Sequence, residues 1–462
     1  MSITSGPKAH LKNCIRRSAV RQRTCRHLAY ALIAGSCLVA LPSANAQAPE
    51  SPAASVDVAM LTLDRAVEIA LQNNPGLAGL RARADAMRTM PSQAGALPDP
   101  ILSLNAMNLP TDTFDLDQEP MTQIQLALSQ SFPFPGKRKL REEAVQYEVQ
   151  AADALLSDRR TILAGQVRSA WWQLLSVDRA LEIVDQNHAL MRDFIEIAQT
   201  KYKVGRGLQQ DVLLAQLELS RLLDRELRLQ GVRRAAQAEL NAMLDRPADW
   251  RISLPPAPPN TNLPELPSET QLLQQAGDNR ALIDVQRDLV EAARKKLDLA
   301  HKDSYPDFKL GVGYGKRQGF DALRGTDRSD FLTVMLSINV PIYSGSKQSK
   351  AVEQRTHEMS QRKYALNNTL RTVQASISRN LASYDAARDQ VVLLDTAIIP
   401  QAQQTVASML AGYQVNQVDF LNLVNTQITL YNAQINYWES LSRAKQALAN
   451  VASAVGEEAL YE

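Results

Sequence analysis

Side chains that could perform chemistry are few in this sequence. His188, with Met191 one helical turn later, could bind a soft metal ion, but His188 lies on the apolar seam of a helical pattern, so we expect it to pack in a core. The run Gly311 to Lys316 superficially resembles a phosphate loop, yet it lies in a strand pattern and lacks the full spacing. No serine, histidine and acid constellation is visible. The sequence therefore predicts neither an enzyme nor a metal or cofactor site.

The N-terminus has the pattern of an export signal. Residues 1–46 contain seven basic residues and no acid, and an apolar run from Leu28 to Leu41 precedes a small-x-small motif that ends at Ala46. This pattern is typical of a secretory signal peptide. We predict cleavage after Ala46.

Cleavage changes the composition of the chain. All three cysteines, Cys14, Cys25 and Cys37, would be removed, which leaves no thiol and no disulfide and suits an oxidising export compartment. Loss of seven basic residues reduces Lys and Arg from 51 to 44 against 49 acids, a net charge near −5. This mildly acidic balance gives no indication of nucleic-acid binding.

The sequence contains an internal duplication. Pro98-Asp99 recurs as Pro306-Asp307, and the turn that begins at Pro133 and ends at Lys137 recurs from Pro341 to Lys347. A third landmark, Tyr202 to Gly205, recurs from Tyr413 to Asn416. We predict two repeats, 47–246 and 268–462, joined by a proline-rich connector, 247–267, which should run extended over the surface.

Each repeat contains two stretches in which apolar residues alternate with small or polar ones. The apolar positions are Leu102, Leu104 and Ala106; Ile124, Leu126 and Leu128; Phe308, Leu310, Val312 and Tyr314; and Leu332, Val334, Leu336, Ile338 and Val340. Stretches of this kind are typical of lipid-facing strands of a membrane barrel, although a half-buried sheet in a soluble protein has the same period.

Long helices surround these strands. Residues 137–204 contain no proline and a single glycine, and residues 346–412 are interrupted only at Pro400, where we expect a kink. Each run would be about 100 Å long at ~1.5 Å per residue, and a 4-3-4-3 apolar seam predicts a coiled coil. Each long helix has two shorter partners whose combined length is close to its own when they are stacked end to end. These partners are predicted at 75–97 and 208–246, and at 280–304 and 419–456.

An open sheet of four strands is not stable in lipid, because the backbone N–H and C=O groups at its two edges would have no hydrogen-bond partners. No apolar stretch after the signal is long enough for a membrane-spanning helix. Closure must come from further copies: two would give eight strands and three would give twelve.

The duplicated plan of strands and long helices, the Phe-Pro-Phe-Pro-Gly-Lys-Arg turn at 132–138 and the segment 202–213 resemble the TolC family of outer-membrane efflux proteins, and the turn is similar to that of its heavy-metal branch. The resemblance implies a mainly α fold in which a homotrimer forms a twelve-stranded β-barrel in the outer membrane and a long coiled-coil α-barrel in the periplasm. It also implies two partners, a periplasmic adaptor and an inner-membrane pump of the resistance-nodulation-division type.

The same resemblance places both helix-to-helix turns, 203–211 and 414–422, at the periplasmic tip. It implies gate residues Asp211, Asp419 and Asn422, and docking residues Tyr202, Val204, Gly205, Tyr413, Val415 and Asn416. Threefold symmetry would make each carboxylate a ring of three, which favours cations in a pore. The alternative is that both aspartates are helix N-caps. Asn416 stands where a turn glycine is usual, and Asn422 where some members carry an acid.

Two other functions remain open at this point. A structural coiled-coil spacer in the periplasm would explain the helices but not four lipid-type strands. A duct for protein secretion would have the same outer component as one for metal ions or drugs, because the pump selects the cargo.

Overall fold

The computed structural model describes residues 60–256 and 260–461, so the predicted signal peptide lies outside the described residues. In the first half the elements are α1 (Leu63–Asn73), α2 (Pro75–Arg88), α3 (Met90–Gly95), β1 (Ile101–Met107), β2 (Gln123–Phe132), α4 (Lys137–Lys203) and α5 (Gln209–Met243).

The second half repeats this order with additions. Its elements are α6 (Glu269–Asn279), α7 (Ala281–Lys302), β3 (Phe308–Arg317), β4 (Phe320–Asp321), β5 (Thr326–Asp327), β6 (Phe331–Ile338), α8 (Gln348–Leu393), a π turn (Leu394–Ile398), α9 (Ile399–Gln414), α10 (Phe420–Val455) and a 3-10 turn (Glu458–Leu460). Helices α1 and α6 and the small β4–β5 hairpin were not predicted.

Proline positions explain where the helices differ from the predictions. The helix predicted over 75–97 is broken at Thr89, because Pro91 lies in the first turn of α3 and favours a new helix start. The interruption predicted at Pro400 takes the form of a π turn that ends two residues before it. A proline has no N–H for the preceding turn, and a π turn accommodates that loss.

The long helices pack side by side in two hairpins. Helix α4 lies against α5, α7 and α10, and α8 lies against α7 and α10. The core at mid-height is built on Trp171 and Trp172, whose indole N–H groups donate to the Leu61 carbonyl at 2.9 Å and to the Tyr461 hydroxyl at 2.6 Å. These bonds satisfy the polar edges of two large buried rings.

A close contact between α4 and α10 depends on one glycine. A Cβ atom added at Gly165 of α4 would lie 2.2 Å from Ser453 Oγ and 3.3 Å from the Ala449 carbonyl oxygen of α10. Because an added Cβ would displace the Ser453 hydroxyl and crowd the Ala449 carbonyl, Gly165 allows α4 and α10 to approach closely.

The connector is more firmly held than predicted. It is not helical in its described part, but Ile252 is buried and the carbonyls of Asn262 and Pro264 accept hydrogen bonds from Lys445 Nζ at 2.7 Å and Tyr384 Oη at 2.6 Å. It therefore packs against both α8 and α10 instead of only crossing the surface. Burial lowers the pKa of Lys445 to about 8.

The four main strands form one antiparallel sheet in the order β1-β2-β3-β6. Within the strands, the apolar side chains predicted to share a face do so, and all except the half-buried Phe308 are exposed: Leu104 is 72% exposed and Leu336 is 61% exposed. The opposite face of β2 carries buried Gln123, Gln125 and Ser129. The first strand of the sheet, β1, and the last, β6, each have a free edge within the chain.

Among the described residues, no helix is both long and apolar enough to cross a membrane.

Candidate functional site at the tips of the hairpins

Two short turns connect the long helices at the far end from the sheet. After α4 ends at Lys203, Gly205 adopts a positive φ of 71°, and after α9 ends at Gln414, Asn416 adopts 62°. Asparagine is one of the few residues with a side chain that tolerates this left-handed region. The Arg206 N–H donates to the Lys201 carbonyl at 2.9 Å and the Gln417 N–H to the Gly412 carbonyl at 2.8 Å, so both turns close in the same way.

The equivalence of the two turns shows that the two acids are not counterparts. Tyr202 and Tyr413 lie 211 residues apart, and the same offset pairs Leu208 with Asp419 and Asp211 with Asn422. Leu208 and Asp419 are the N-cap residues of α5 and α10. Each tip therefore has one acid, at a different position in the helix.

The N-cap alternative is wrong for Asp211, which is the third residue of α5. Asp419 does occupy the N-cap position of α10, but its side chain makes no capping hydrogen bond. Both helix starts are electropositive, so both carboxylates lie where the helix dipole favours negative charge.

Burial and neighbouring charges act on Asp211. Burial raises the pKa of this carboxyl above its ordinary value of 3.8, and the negative charge of Asp419 raises it further. A hydrogen bond from the Leu208 backbone and the charge of Lys201 oppose this rise in pKa. The structure thus places Asp211, Asp419 and Lys201 in one electrostatic cluster.

Lys201 joins the two hairpins. Its Nζ donates to the carbonyl of Tyr413 and, at 2.7 Å, to Asn416 Oδ1, and it lies 4.0 Å from the centre of the Tyr413 ring. The sequence did not single out Lys201, because its partners are more than 200 residues away.

Tyr413 is a core residue of the tip, not an exposed docking residue. It is 5% exposed, its ring centre lies 5.2 Å from that of Phe420, and Phe420 lies 6.2 Å from Phe194. Burial, with a smaller effect from Asp211, raises the pKa of Tyr413 to about 12. Its counterpart Tyr202 is exposed.

Apolar side chains extend outward around both turns. Val204 is 64% exposed and Val415 is 63% exposed, and Leu208 and Leu421 are exposed as well. These four exposed apolar side chains all lie at or beside the two turns.

A buried polar layer lies farther along the hairpins. Glu218 of α5 accepts a hydrogen bond from Tyr431 of α10 at 3.1 Å, and Gln427 of α10 donates to Asn187 of α4 at 2.8 Å. His188 is buried, as its seam position predicted, and its Nδ1 lies 3.5 Å from Glu226. No group of three or more metal-ligating side chains occurs within the described residues.

Two pairs of long helices connect a sheet with an exposed apolar face and two open edges at one end to charged turns at the other. A family model described as "Outer membrane efflux protein" matches residues 66–246 and 272–457. The chain therefore belongs to the outer membrane efflux protein family, and its location is the outer membrane.

Individual proteins agree with this assignment. The chain is 22% identical over 400 residues to the cobalt-zinc-cadmium resistance protein CzcC of Cupriavidus metallidurans. The alignment covers 86% of this chain and 90% of CzcC. It is 24% identical to the alkaline protease secretion protein AprF of Pseudomonas aeruginosa, over 65% of this chain and 63% of AprF. The crystal structure of the outer membrane protein VceC from Vibrio cholerae matches with a TM-score of 0.70 at 20% identity, over 87% of this chain and 97% of VceC.

Proposed function

We propose that this chain is a subunit of a passive outer-membrane conduit that exports small solutes, with metal cations or drugs as the candidate cargo. One observation carries the proposal: a four-stranded sheet exposes an apolar face and has a free edge on each side. In lipid such a sheet is stable only when further copies pair with its edges. Three copies give a twelve-stranded barrel, with the helices continuing the tube into the periplasm.

The tips serve as gate and docking surface in this proposal. Asp211, Asp419 and Asn422 surround the passage, and threefold repetition of the two acids favours cations over anions. The outer surface of the tip, with Tyr202, Val204, Gly205, Val415 and Asn416, binds a periplasmic adaptor through exposed apolar side chains. The adaptor in turn connects the conduit to an inner-membrane pump of the resistance-nodulation-division type.

The relative CzcC, a cobalt-zinc-cadmium resistance protein, favours metal cations as cargo. The relative AprF, named for protease secretion, favours a second candidate function, a duct for exported polypeptide. Both functions need the same outer conduit. Co-purification of the chain with its inner-membrane partner distinguishes them, because the two functions need different pumps.

The gate role of Asp419 is tested in planar bilayers with a salt gradient. We expect Asp419→Ala to assemble normally but to lower the cation-to-anion permeability ratio, because a ring of exposed carboxylates is removed. Asp224→Ala removes an exposed acid of α5 that pairs with Arg228, away from the tip, and should leave the ratio unchanged. Equal selectivity of Asp419→Ala and the unmodified protein would refute the gate role.

Fractionation tests the conduit itself against a periplasmic spacer. A barrel stays with the membrane pellet after washing with high salt and at alkaline pH, whereas a spacer is released into the supernatant. Release of the chain would contradict the proposed function.

A further inference from the structure

The junction between sheet and helices contains a buried lysine that joins the two halves of the chain. Lys137, 2% exposed at the start of α4, donates from Nζ to Asp307 Oδ1 at 2.9 Å and to the Tyr305 carbonyl at 3.0 Å. Asp307 also accepts from the Phe134 N–H at 2.7 Å, and these contacts hold the pKa of Asp307 below its ordinary value despite burial. The rings of Phe134 and Tyr305 stack with centres 4.7 Å apart.

This junction follows directly from the pairing of β2 with β3. Phe132, at the end of β2, is opposite Phe308, at the start of β3, so the turn after β2 meets the segment before β3. Lys137 and Asp307 therefore fix the register of two strands that belong to different repeats.

Because the sequence is duplicated, an aspartate and a lysine equivalent to this pair occur a second time, next to the two free edges of the sheet. Asp99, the counterpart of Asp307, precedes β1, and Lys347, the counterpart of Lys137, follows β6. The second turn is two residues longer, yet its lysine keeps its place at the helix start, since Lys347 is the N-cap of α8.

Neither counterpart has a partner among the described residues. Across residues 60–256 and 260–461, no ion pair or side-chain hydrogen bond involves Asp99 or Lys347, and both side chains are exposed. Ile342, the counterpart of Phe134, is 72% exposed, and Tyr343 beside it is exposed as well. The free edges thus carry an unused copy of a junction that is formed once inside the chain.

We propose that Lys347 of one copy binds Asp99 of the next copy and so sets the register in which β6 of the first pairs with β1 of the second. The inference rests on the proposed conduit, because only a closed assembly brings these edges together. Applying the β2–β3 register to the second pair of edges places Leu336 opposite Leu104 and Ile338 opposite Leu102.

The apolar face agrees with this register. Within the chain, Leu310 is opposite Leu336 and Leu102 is opposite Leu128, so these side chains share the exposed face. Pairing Leu336 with Leu104 continues that face across the boundary between copies. A slip of one residue would bring Met335 opposite Leu104 and turn one strand's apolar side chains to the other face.

The ion pair is needed because the apolar face cannot exclude a slip of two residues. Side chains repeat every two residues along a strand, so a two-residue slip keeps the apolar face intact. It moves Lys347 about 7 Å along its neighbour, which is farther than an ion pair of ~4 Å allows. The lysine and the aspartate therefore select one register among those with a continuous apolar face.

Cysteine pairs test the register, because the three native cysteines lie in the segment predicted to be cleaved. Leu104→Cys with Leu336→Cys should form disulfide-linked oligomers in isolated membranes after mild oxidation. Leu104→Cys with Val334→Cys reports the two-residue slip in one direction, Leu104→Cys with Ile338→Cys reports it in the other, and both pairs should link poorly. Within one chain β1 and β6 are three strand spacings apart, about 14 Å, which is too far for a disulfide.

Charge changes in two cysteine-pair backgrounds, Leu104→Cys with Leu336→Cys and Leu104→Cys with Val334→Cys, then test the ion pair between Lys347 and Asp99. We expect Asp99→Lys or Lys347→Asp alone to lower the linked fraction severalfold and to raise linking through Val334→Cys, and the combined charge swap to restore the original pattern. Lys350→Asp is the matched control, since Lys350 pairs with Glu353 of its own helix and should have no effect.

Each unfavourable outcome identifies which claim fails. Predominant linking through Val334→Cys or Ile338→Cys in an inserted protein would overturn the register and leave the conduit intact. Linking through Leu336→Cys that is insensitive to Asp99→Lys and Lys347→Asp would refute the ion pair between Lys347 and Asp99. No linking, together with release of the chain by alkaline washing, would refute the proposed conduit as well.

Discussion

Lys201 and Asp211 show how single residues at the tip act on different parts of the structure. Lys201, on the first hairpin, donates hydrogen bonds to the second turn, to the backbone carbonyl of Tyr413 and to the side chain of Asn416. Asp211 stays on its hairpin, but the charge of Asp419 on the other hairpin reaches it. The contacts of Lys201 with neutral groups of the second turn thus hold the two turns together, while the like charges of Asp211 and Asp419 oppose them, so protonation of Asp211 changes the balance.

This balance predicts a pH dependence of the tip. Because the pKa of Asp211 is higher in the folded tip than in an unfolded chain, its contribution to stability is present at acid pH and is lost as pH rises through the folded pKa. Asp211→Asn removes the ionisation, so at neutral pH its tip should exchange backbone amides more slowly than the unmodified tip.

Hydrogen exchange across residues 199–213 and 410–424, corrected for intrinsic rates, measures this effect from pH 4 to pH 8. Asp224→Asn serves as the control, because Asp224 is exposed and pairs with Arg228 of its own helix. Slower exchange of the unmodified tip at neutral pH than at pH 4, or no difference between Asp211→Asn and the unmodified protein at neutral pH, would contradict the assigned role.

Some of these residue roles could be predicted from the sequence and others could not. The turn at Asn416 could be predicted, because few residues with a side chain accept a positive φ and asparagine is one of them. The burial of Tyr413 could not, since Tyr202 occupies the same place in the repeat and is exposed. The difference arises from Phe194 and Phe420, which form an aromatic cluster beside the second turn.

At the scale of elements, periodicity predicted helix and strand types well and helix breaks less well. The runs that became α4 and α8 with α9 contain few prolines and long apolar seams, which leave no other regular structure available. The break between α2 and α3 was missed, although Pro91 marks it. Connector residues such as Ile252 were expected at the surface, because their burial depends on partners far away in the sequence.

The close contact of α4 with α10 predicts a large effect of one substitution. Gly165→Val forces its side chain against Ser453 and the Ala449 carbonyl, so it should cost about 1–3 kcal/mol through overpacking. Circular dichroism at 222 nm during heating should show a lower melting temperature for detergent-extracted protein.

Gly231→Ala is the matched control for that substitution. Gly231 lies in α5, and an added Cβ meets no atom within 4 Å. Alanine should therefore preserve or raise the melting temperature, since glycine weakens helix interiors. Equal melting temperatures for Gly165→Val and Gly231→Ala would show that α4 and α10 do not depend on the close approach.

At the scale of the whole molecule, the duplication explains why the sheet of one chain ends in two unpaired strands. Two repeats pair through β2 and β3 and leave β1 and β6 open. The alternation of apolar residues predicted which side of the sheet is exposed, because strand periodicity depends only on local sequence. The order of the strands and their register could not be predicted in this way, because they depend on contacts such as Lys137 with Asp307 across 170 residues.

The mass of the detergent-extracted protein, measured by native mass spectrometry, tests closure of the barrel most directly. The account predicts three chains per particle, which provide twelve strands without a free edge. A different number of chains would contradict the proposed trimer, and a single chain with its sheet intact would remove the closed conduit altogether.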